Sequence, residues 1–458
     1  MTKDRNSKAI VRDFTEGAIM PHLWRFFVPF LLANLLNSLY NAIDTAIIGQ
    51  FAGGTGIVAV SMGGKFLTLL TYLSTAFSGA GQIYISQLVG AKKKEELNRT
   101  IGTVFTLMMF LAAVIMIVLF AVARPALVAL NTPEEAFDQA LSYLRITTLG
   151  LPLLFGFNGV ASVLRGMGDS KGPLIYISIA TAVNIAGDLI FVACLGMGAK
   201  GTAIATVLGQ GVSLAFALWN LYRRKEAFHF DFRPESFAVD WPKLKIMLKL
   251  AWPVAIRVLF ISVTQIIILG FVNLYGVDGA AAYSIGDKIL TITSITALSM
   301  QQAAGGMMGQ NVGADKPERV QKILRCALIM TMSFAAVISL LLVLLPYSVF
   351  SVFTNDPNVI AYAPPFMRVS ALALFLTALM SPYESVMIGT GKSMLMFLAG
   401  LLDGAVFRMG FTMLFAYGFG MGLTGLFLGE ALARLGPVIV GLWYYYSGSW
   451  KKTKKLTA

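Results

Sequence analysis

Charge is what this sequence has least of. Asp, Glu, Lys and Arg make up 13% of its 458 residues, against 57% hydrophobic residues and a mean hydropathy of +0.74. A soluble chain carries about 25% charged residues because its surface faces water. Too few polar groups exist here to cover a soluble globule of this length, and the solvent they imply is lipid. Cysteine and histidine are almost missing too. Cys194 and Cys326 lie far apart in apolar runs, with neither disulfide-framework nor metal-ligand spacing, and read as small buried hydrophobes. His22 and His229 sit at two separate polar edges, which excludes a His/Cys metal site. No nucleophile–base pair or phosphate-binding glycine loop stands out, and Gly166-Met-Gly168 lacks the strand such a loop needs. The chain is therefore expected to be no enzyme and to carry no cofactor.

Apolar runs take up most of the sequence. A hydrocarbon core about 30 Å thick needs roughly 20 apolar residues per helix. Runs of that kind fall near 24–48, 57–89, 100–123, 141–163, 173–196, 202–222, 246–275, 280–312, 320–350, 364–388, 395–419 and 423–446. Glycine is abundant at 44 residues, and small residues within the runs suit close helix packing in lipid. The first 22 residues are mixed and polar, and no small-residue cleavage site follows, so the first span is expected to be retained.

The basic residues sort by loop. Lys3, Arg5, Lys8 and Arg12 precede the first span, and Lys92, Lys93, Lys94 and Arg99 follow the second. Lys171 follows the fourth, and Arg223, Arg224, Lys225, Arg233, Lys243 and Lys245 fill a central linker. Lys316, Arg319, Lys322 and Arg325 follow the eighth, Lys392 the tenth, and Lys451, Lys452, Lys454 and Lys455 end the chain. The alternate loops carry few basic residues, Arg124 and Lys200 standing out, and supply the acids Glu134, Glu135, Asp138, Asp278 and Asp356. This alternation places both termini in the cytoplasm. It also accounts for the net charge of +13 without nucleic-acid binding, for which no recognition fold is evident.

One shift of 223 residues relates the two halves. Gly53 meets Gly276, Gly63 meets Gly286, Lys65 meets Lys288, and Gln87-Leu-Val-Gly-Ala-Lys meets Gln310-Asn-Val-Gly-Ala-Asp. Gly166, Gly168 and Ser170 meet Gly389, Gly391 and Ser393 in the same register. The expected fold is all-α integral membrane, with twelve transmembrane helices in two pseudo-symmetric six-helix bundles. The lobes are expected at 1–222 and 244–458, joined by a cytoplasmic linker at 223–243. An even helix count makes the repeat parallel, about an axis along the membrane normal; transporters of this plan place substrate between halves and alternate access.

Ionisable groups inside spans cost at least about 2.5–3.5 kcal/mol on insertion scales and need a reason. Asp44 lies in the outer part of the first helix. Asn184 and Asp188 share a face of the fifth, and Thr202 and Thr206 share a face of the sixth. Carboxylate, amide and hydroxyl oxygens together suit sodium, or a carboxylate that takes a proton. In the second half, Glu430 and Arg434 are four apart, Asp403 and Arg408 pair across poorer spacing, and Arg257, Asp287 and Lys288 stand in spans; these read as structural. Glu384 is the second-half acid expected to face substrate or a gate. Methionine (22) and phenylalanine (32) either line a cavity or pack against lipid.

Motifs add a resemblance over nearly the whole chain. Asp44-Thr45 with Gly49, Gln87-Leu-Val-Gly-Ala-Lys, and Leu164-Arg165-Gly166-Met-Gly168-Asp169-Ser170-Lys171 with its echo Gly389-Thr-Gly391-Lys392-Ser393 resemble a multidrug and toxic compound extrusion (MATE) transporter. The major facilitator signature between the second and third helices is absent; Gly90-Ala-Lys-Lys-Lys-Glu-Glu96 stands there. The resemblance implies a cation site in the amino-terminal lobe at Asp44, Asn184, Asp188 and Thr206, with Thr202 and Asn158. It also implies a bend at Pro29 and a cavity-lining role for Tyr143. Gln265 stands where some members carry a functional glutamate, which speaks against a second cation site. The implied function is Na+- or H+-coupled antiport exporting small amphipathic, often cationic, compounds. The protein would act as a monomer in the lipid bilayer of a prokaryotic cytoplasmic membrane. A flippase for lipid-linked oligosaccharide or peptidoglycan precursors is the alternative, with Lys65, Lys288, Arg257 and Arg408 as its candidate pyrophosphate contacts.

Overall fold

A computed structural model describes residues 12–130, 132–453 and 455–457. Lys3, Arg5, Lys8 and Lys454 of the basic clusters lie outside them. The described chain is helical throughout: α1 Ile19–Gly90, α2 Lys94–Ala129, α3 Glu134–Leu149, α4 Leu151–Gly166, α5 Lys171–Cys194 and α6 Gly198–Arg223. Then follow α7 Trp241–Gly313, α8 Pro317–Leu344, α9 Ala363–Gly389, α10 Ser393–Gly418 and α11 Gly422–Tyr446.

α1 and α7 are 72 and 73 residues long. At 1.5 Å per residue each would extend roughly 110 Å, more than three times the membrane core, if straight. Each is two spans joined at a glycine, in α7 preceded by a single 3-10 turn at Asn273–Tyr275. Gly53 sits at φ 65°, ψ −163°, and Gly276 at φ 76°, ψ −176°. Only glycine occupies that region without strain, so the chain reverses there with no loop. α3 and α4 are bent by 45° at their junction and together make one span. Each half thus crosses six times.

The faces turned away from the protein are apolar: Ile117 is 67% exposed, Ile266 70% and Val337 61%. In water such faces would drive aggregation; in lipid they are solvated.

The chain divides into two compact units, one built on Leu32–Ala251, the other on Phe14–Leu31 and Trp252–Ala458. Contrary to the expected lobe boundary, the start of α1 belongs to the second unit. Its Phe26, Phe27 and Phe30 are buried in a core with Met300, Met307 and Met308. Methionine and phenylalanine here are packing residues. The Arg319 guanidinium donates to the carbonyls of Phe14, Glu16 and Gly17, and Lys316 to that of Thr15. In the first unit, the polar linker is docked rather than free. Thr106 Oγ1 donates to the Phe237 carbonyl at 2.7 Å, and the Asp240 N–H to Thr103 Oγ1 at 3.2 Å. Gly102 permits this approach, since a Cβ there would stand 1.6 Å from the Ser236 carbonyl oxygen.

The repeat is copied in side-chain packing. The Tyr143 ring lies over Gly63 in one unit and the Phe366 ring over Gly286 in the other, both pairs offset by 223 residues. Past the middle of the fifth and eleventh spans the offset becomes 224. The run Leu195, Gly196, Met197, Gly198 has the backbone angles of Phe419, Gly420, Met421, Gly422. The extra residue is absorbed in a π-turn at Leu402–Arg408, where Lys171–Asp188 is plain α-helix. A π-turn is how a helix accepts one inserted residue.

Candidate functional site

The residues expected in the amino-terminal lobe come together, with one exception. Asp44 of α1 (6% exposed), Asn184 and Asp188 of α5 (2% and 0%) and Thr202 and Thr206 of α6 (1% and 4%) converge inside the first unit. Helical spacing explains why: Asn184 and Asp188 project from one stripe of α5, and Thr202 and Thr206 from the stripe of α6 that packs on it. The Asp44 and Asp188 carboxyls adjoin, and the Thr202 hydroxyl lies beside Asp188. Thr206 Oγ1 donates to the Thr202 carbonyl at 2.9 Å, which uses its single proton. Its oxygen therefore accepts, from Asn184 Nδ2 at 3.4 Å and from the Tyr40 hydroxyl at 3.1 Å.

This arrangement leaves oxygens over. Asp44 Oδ1, both Asp188 oxygens, Asn184 Oδ1 and Thr202 Oγ1 are buried, and at the observed geometry none completes a hydrogen bond. A buried polar atom without a partner costs about 1–3 kcal/mol, more when charged. Two adjoining carboxylates also repel when both are ionised. Five clustered acceptors with two carboxyls among them are suited to a proton or a hard cation, which is the chemistry expected of Asp44 and Asp188 as sodium ligands. Among the described residues no group of three or more His, Cys, Asp or Glu side chains is placed to hold a metal ion, which is a poor match to a transition metal.

Tyr40 is a member that sequence reasoning passed over. It lies four residues before Asp44 on α1, and its hydroxyl reaches both Asp44 and Thr206. The i, i+4 spacing could have found it. Tyr143 is 4% exposed and neighbours the two carboxylates. Asn158 is the exception: its amide donates to Ser74 Oγ at 3.0 Å, tying α4 to α1. Pro29 is buried within α1, two residues before the chain passes from the second unit to the first.

Glu384, expected to face substrate or a gate, is held against an arginine. It is 1% exposed, 2.7 Å from Arg257 Nη1, and accepts from Gln301. An apolar environment makes a carboxylate seek its countercharge, and Arg257 on the neighbouring helix supplies it. Asp403 and Arg408 do pair, at 2.8 Å, because the π-turn puts residues five apart on one face. Arg434 donates to the Glu430 backbone carbonyl at 2.8 Å, while the Glu430 carboxylate goes to Arg408 at 3.1 Å. Two of the four cations expected to favour a pyrophosphate ligand, Arg257 and Arg408, are thereby neutralised within the protein. Lys65 and Lys288 are exposed on their helices.

The motif around Gly166 is explained by its turn. Asp169 Oδ1 accepts from the backbone N–H groups of Lys171 and Gly172, each at 3.0 Å, at the start of α5. Burial pushes the Asp169 carboxyl up, against these donors.

Comparison with known proteins agrees with this architecture. The MatE family model matches residues 29–190 and again 253–417, once in each half. The probable multidrug resistance protein YpnP of Bacillus subtilis is 26% identical over 97% of this chain and 99% of its own. YoeA, another probable multidrug resistance protein of that organism, is 27% identical over 78% of this chain and 79% of its own. Among solved structures, the outward-facing conformation of a multidrug resistance MATE family transporter superposes with a TM-score of 0.90. It is 21% identical and covers 96% of this chain and 98% of that one. The twice-matched model, the twelve crossings and the duplicated glycine reversals place this chain in the MatE family, as a multi-pass membrane transporter and not an enzyme.

Proposed function

We propose that the protein is a cation-coupled antiporter that exports small amphipathic, often cationic, organic compounds by alternating access. It would work as a monomer in a prokaryotic cytoplasmic membrane, with both termini inside, as the basic loops suggest. The observation that carries the coupling is the set of five buried acceptor oxygens around Asp44 and Asp188. A sodium ion or proton entering there relieves the repulsion between the two carboxyls. It therefore favours whichever conformation holds them closest, and a ligand that binds two conformations unequally shifts their balance. Substrate affinity then falls in the cation-loaded form, and an inward gradient drives export. The named activity of the relatives, multidrug resistance, supports the substrate class.

The test is efflux of a fluorescent lipophilic cation from proteoliposomes, with sodium and pH gradients imposed separately. One of the two gradients should drive export in the native protein. Asp44→Asn should abolish it while inserting normally in the membrane. Undiminished gradient-driven export by that variant refutes the coupling role.

A further inference from the structure

The second unit repeats the positions of the amino-terminal cluster around Asp188, and an arginine stands among them. Under the 223-residue register Asp44 corresponds to Ile267, and under the 224-residue register that follows the π-turn Asn184, Asp188 and Thr206 correspond to Arg408, Thr412 and Glu430. Both carboxylates of the first pocket are thus lost from their positions. Two others return by different routes: Glu430 at the place of Thr206, and Asp403 from the π-turn that carries the inserted residue. Each pocket then holds two adjoining acids and a tyrosine against one of them, Tyr40 by Asp44 and Tyr283 by Glu430, and in the second a third carboxylate, Asp287, and a second guanidinium, Arg434, lie within electrostatic range of Glu430.

The difference lies in what the carboxylates face. In the second pocket the Arg408 guanidinium bridges them, 2.8 Å from Asp403 and 3.1 Å from Glu430. All three side chains are at most 7% exposed. Arg434 turns to a backbone carbonyl and leaves the bridging position to Arg408. Thr412, where the first pocket has Asp188, is fully buried with Oγ1 unpartnered, and stands against Gly429 of α11. Stability alone does not account for the arrangement, since apolar residues of similar volume often serve as well as a buried ion pair.

We infer that Arg408 is a tethered cation occupying the carboxy-terminal copy of the cation pocket, so that this lobe exchanges no ion and coupling falls to the amino-terminal lobe alone. The inference rests on the cation reading of the amino-terminal pocket. Its consequence is that removing the guanidinium turns Asp403, Glu430 and Thr412 into a site for a free small cation.

Guanidinium itself is the probe. Purified full-length Arg408→Ala protein is expected to melt several degrees below the native protein. Millimolar guanidinium should restore most of that loss, and uncharged urea of the same shape none. Equilibrium dialysis with radiolabelled guanidinium should find one added site in Arg408→Ala. That site should persist when Asp188→Asn disables the amino-terminal pocket and disappear when Glu430→Gln is added. Should Arg408→Ala fail to fold, purification in guanidinium should recover it; failure to recover it overturns the inference. Equal response to urea, or no added site in Arg408→Ala, overturns it too. Loss of the Asp44 coupling role would leave the guanidinium site intact, so the two proposals fail separately.

Discussion

Replacing Asp188 by asparagine should leave the fold at least as stable as before while stopping transport. The paired acid Glu384 supplies the contrast. Glu384 is buried against Arg257 at 2.7 Å, and breaking a buried pair strands the partner charge at a cost of about 3–5 kcal/mol. For a unit of this size each kcal/mol moves the melting temperature by roughly 2–4 °C, so Glu384→Gln should lower it by on the order of 10 °C. Asp188 has no such partner: both its oxygens are buried without a completed hydrogen bond, beside a second carboxyl. Removing one charge of that pair relieves repulsion and desolvation together. Asp188→Asn should therefore melt at or above the native temperature. A coupling ion at a hundred times its dissociation constant should stabilise the native protein by about 2.7 kcal/mol, and Asp188→Asn by nothing. Thermal unfolding of detergent-purified protein, read against sodium concentration and pH, measures all three. If Asp188→Asn falls as far as Glu384→Gln, Asp188 is a structural partner and the site reading is wrong.

Three further outcomes follow from the fold. Gly53→Ala and Gly276→Ala should each cost about 1–3 kcal/mol from backbone strain alone, since no atom lies within 4 Å of either added Cβ; their melting shifts should add in the double variant. Gly102→Ala should push the linker off α2, costing about 1–3 kcal/mol and accelerating proteolysis between Asp231 and Asp240; unchanged cleavage would show that the linker is held elsewhere. The Ser236 hydroxyl and the Arg233 backbone N–H hold the Asp231 carboxyl below the usual carboxylate range. A depressed folded value means a contribution present above the unfolded value of about 3.9 and lost as pH falls through the folded one. Protection of the Asp240 amide, its exchange rate relative to an unstructured peptide at the same pH, should accordingly hold at pH 5 and fall only below about pH 4.

Sequence by itself determined the solvent, the crossings and the repeat. Those are properties of composition and period: too few charges for a water-facing surface, apolar runs of spanning length, and a register kept from Gly53 and Gly276 to Gly168 and Gly391. Asp44, Asn184, Asp188, Thr202 and Thr206 were also legible, because helical spacing puts each pair on one face and lipid makes every buried charge conspicuous. Only tertiary structure decided which charges meet. Asp44 and Glu384 look alike as acids in apolar helices, yet one adjoins a second carboxyl and the other an arginine more than a hundred residues away in sequence. The same holds for Asn158, drawn to Ser74, and for Arg408, aimed between two carboxylates by a π-turn that no hydrophobic period reveals. Long-range pairing depends on how helices are rotated against one another, and a single inserted residue resets that rotation.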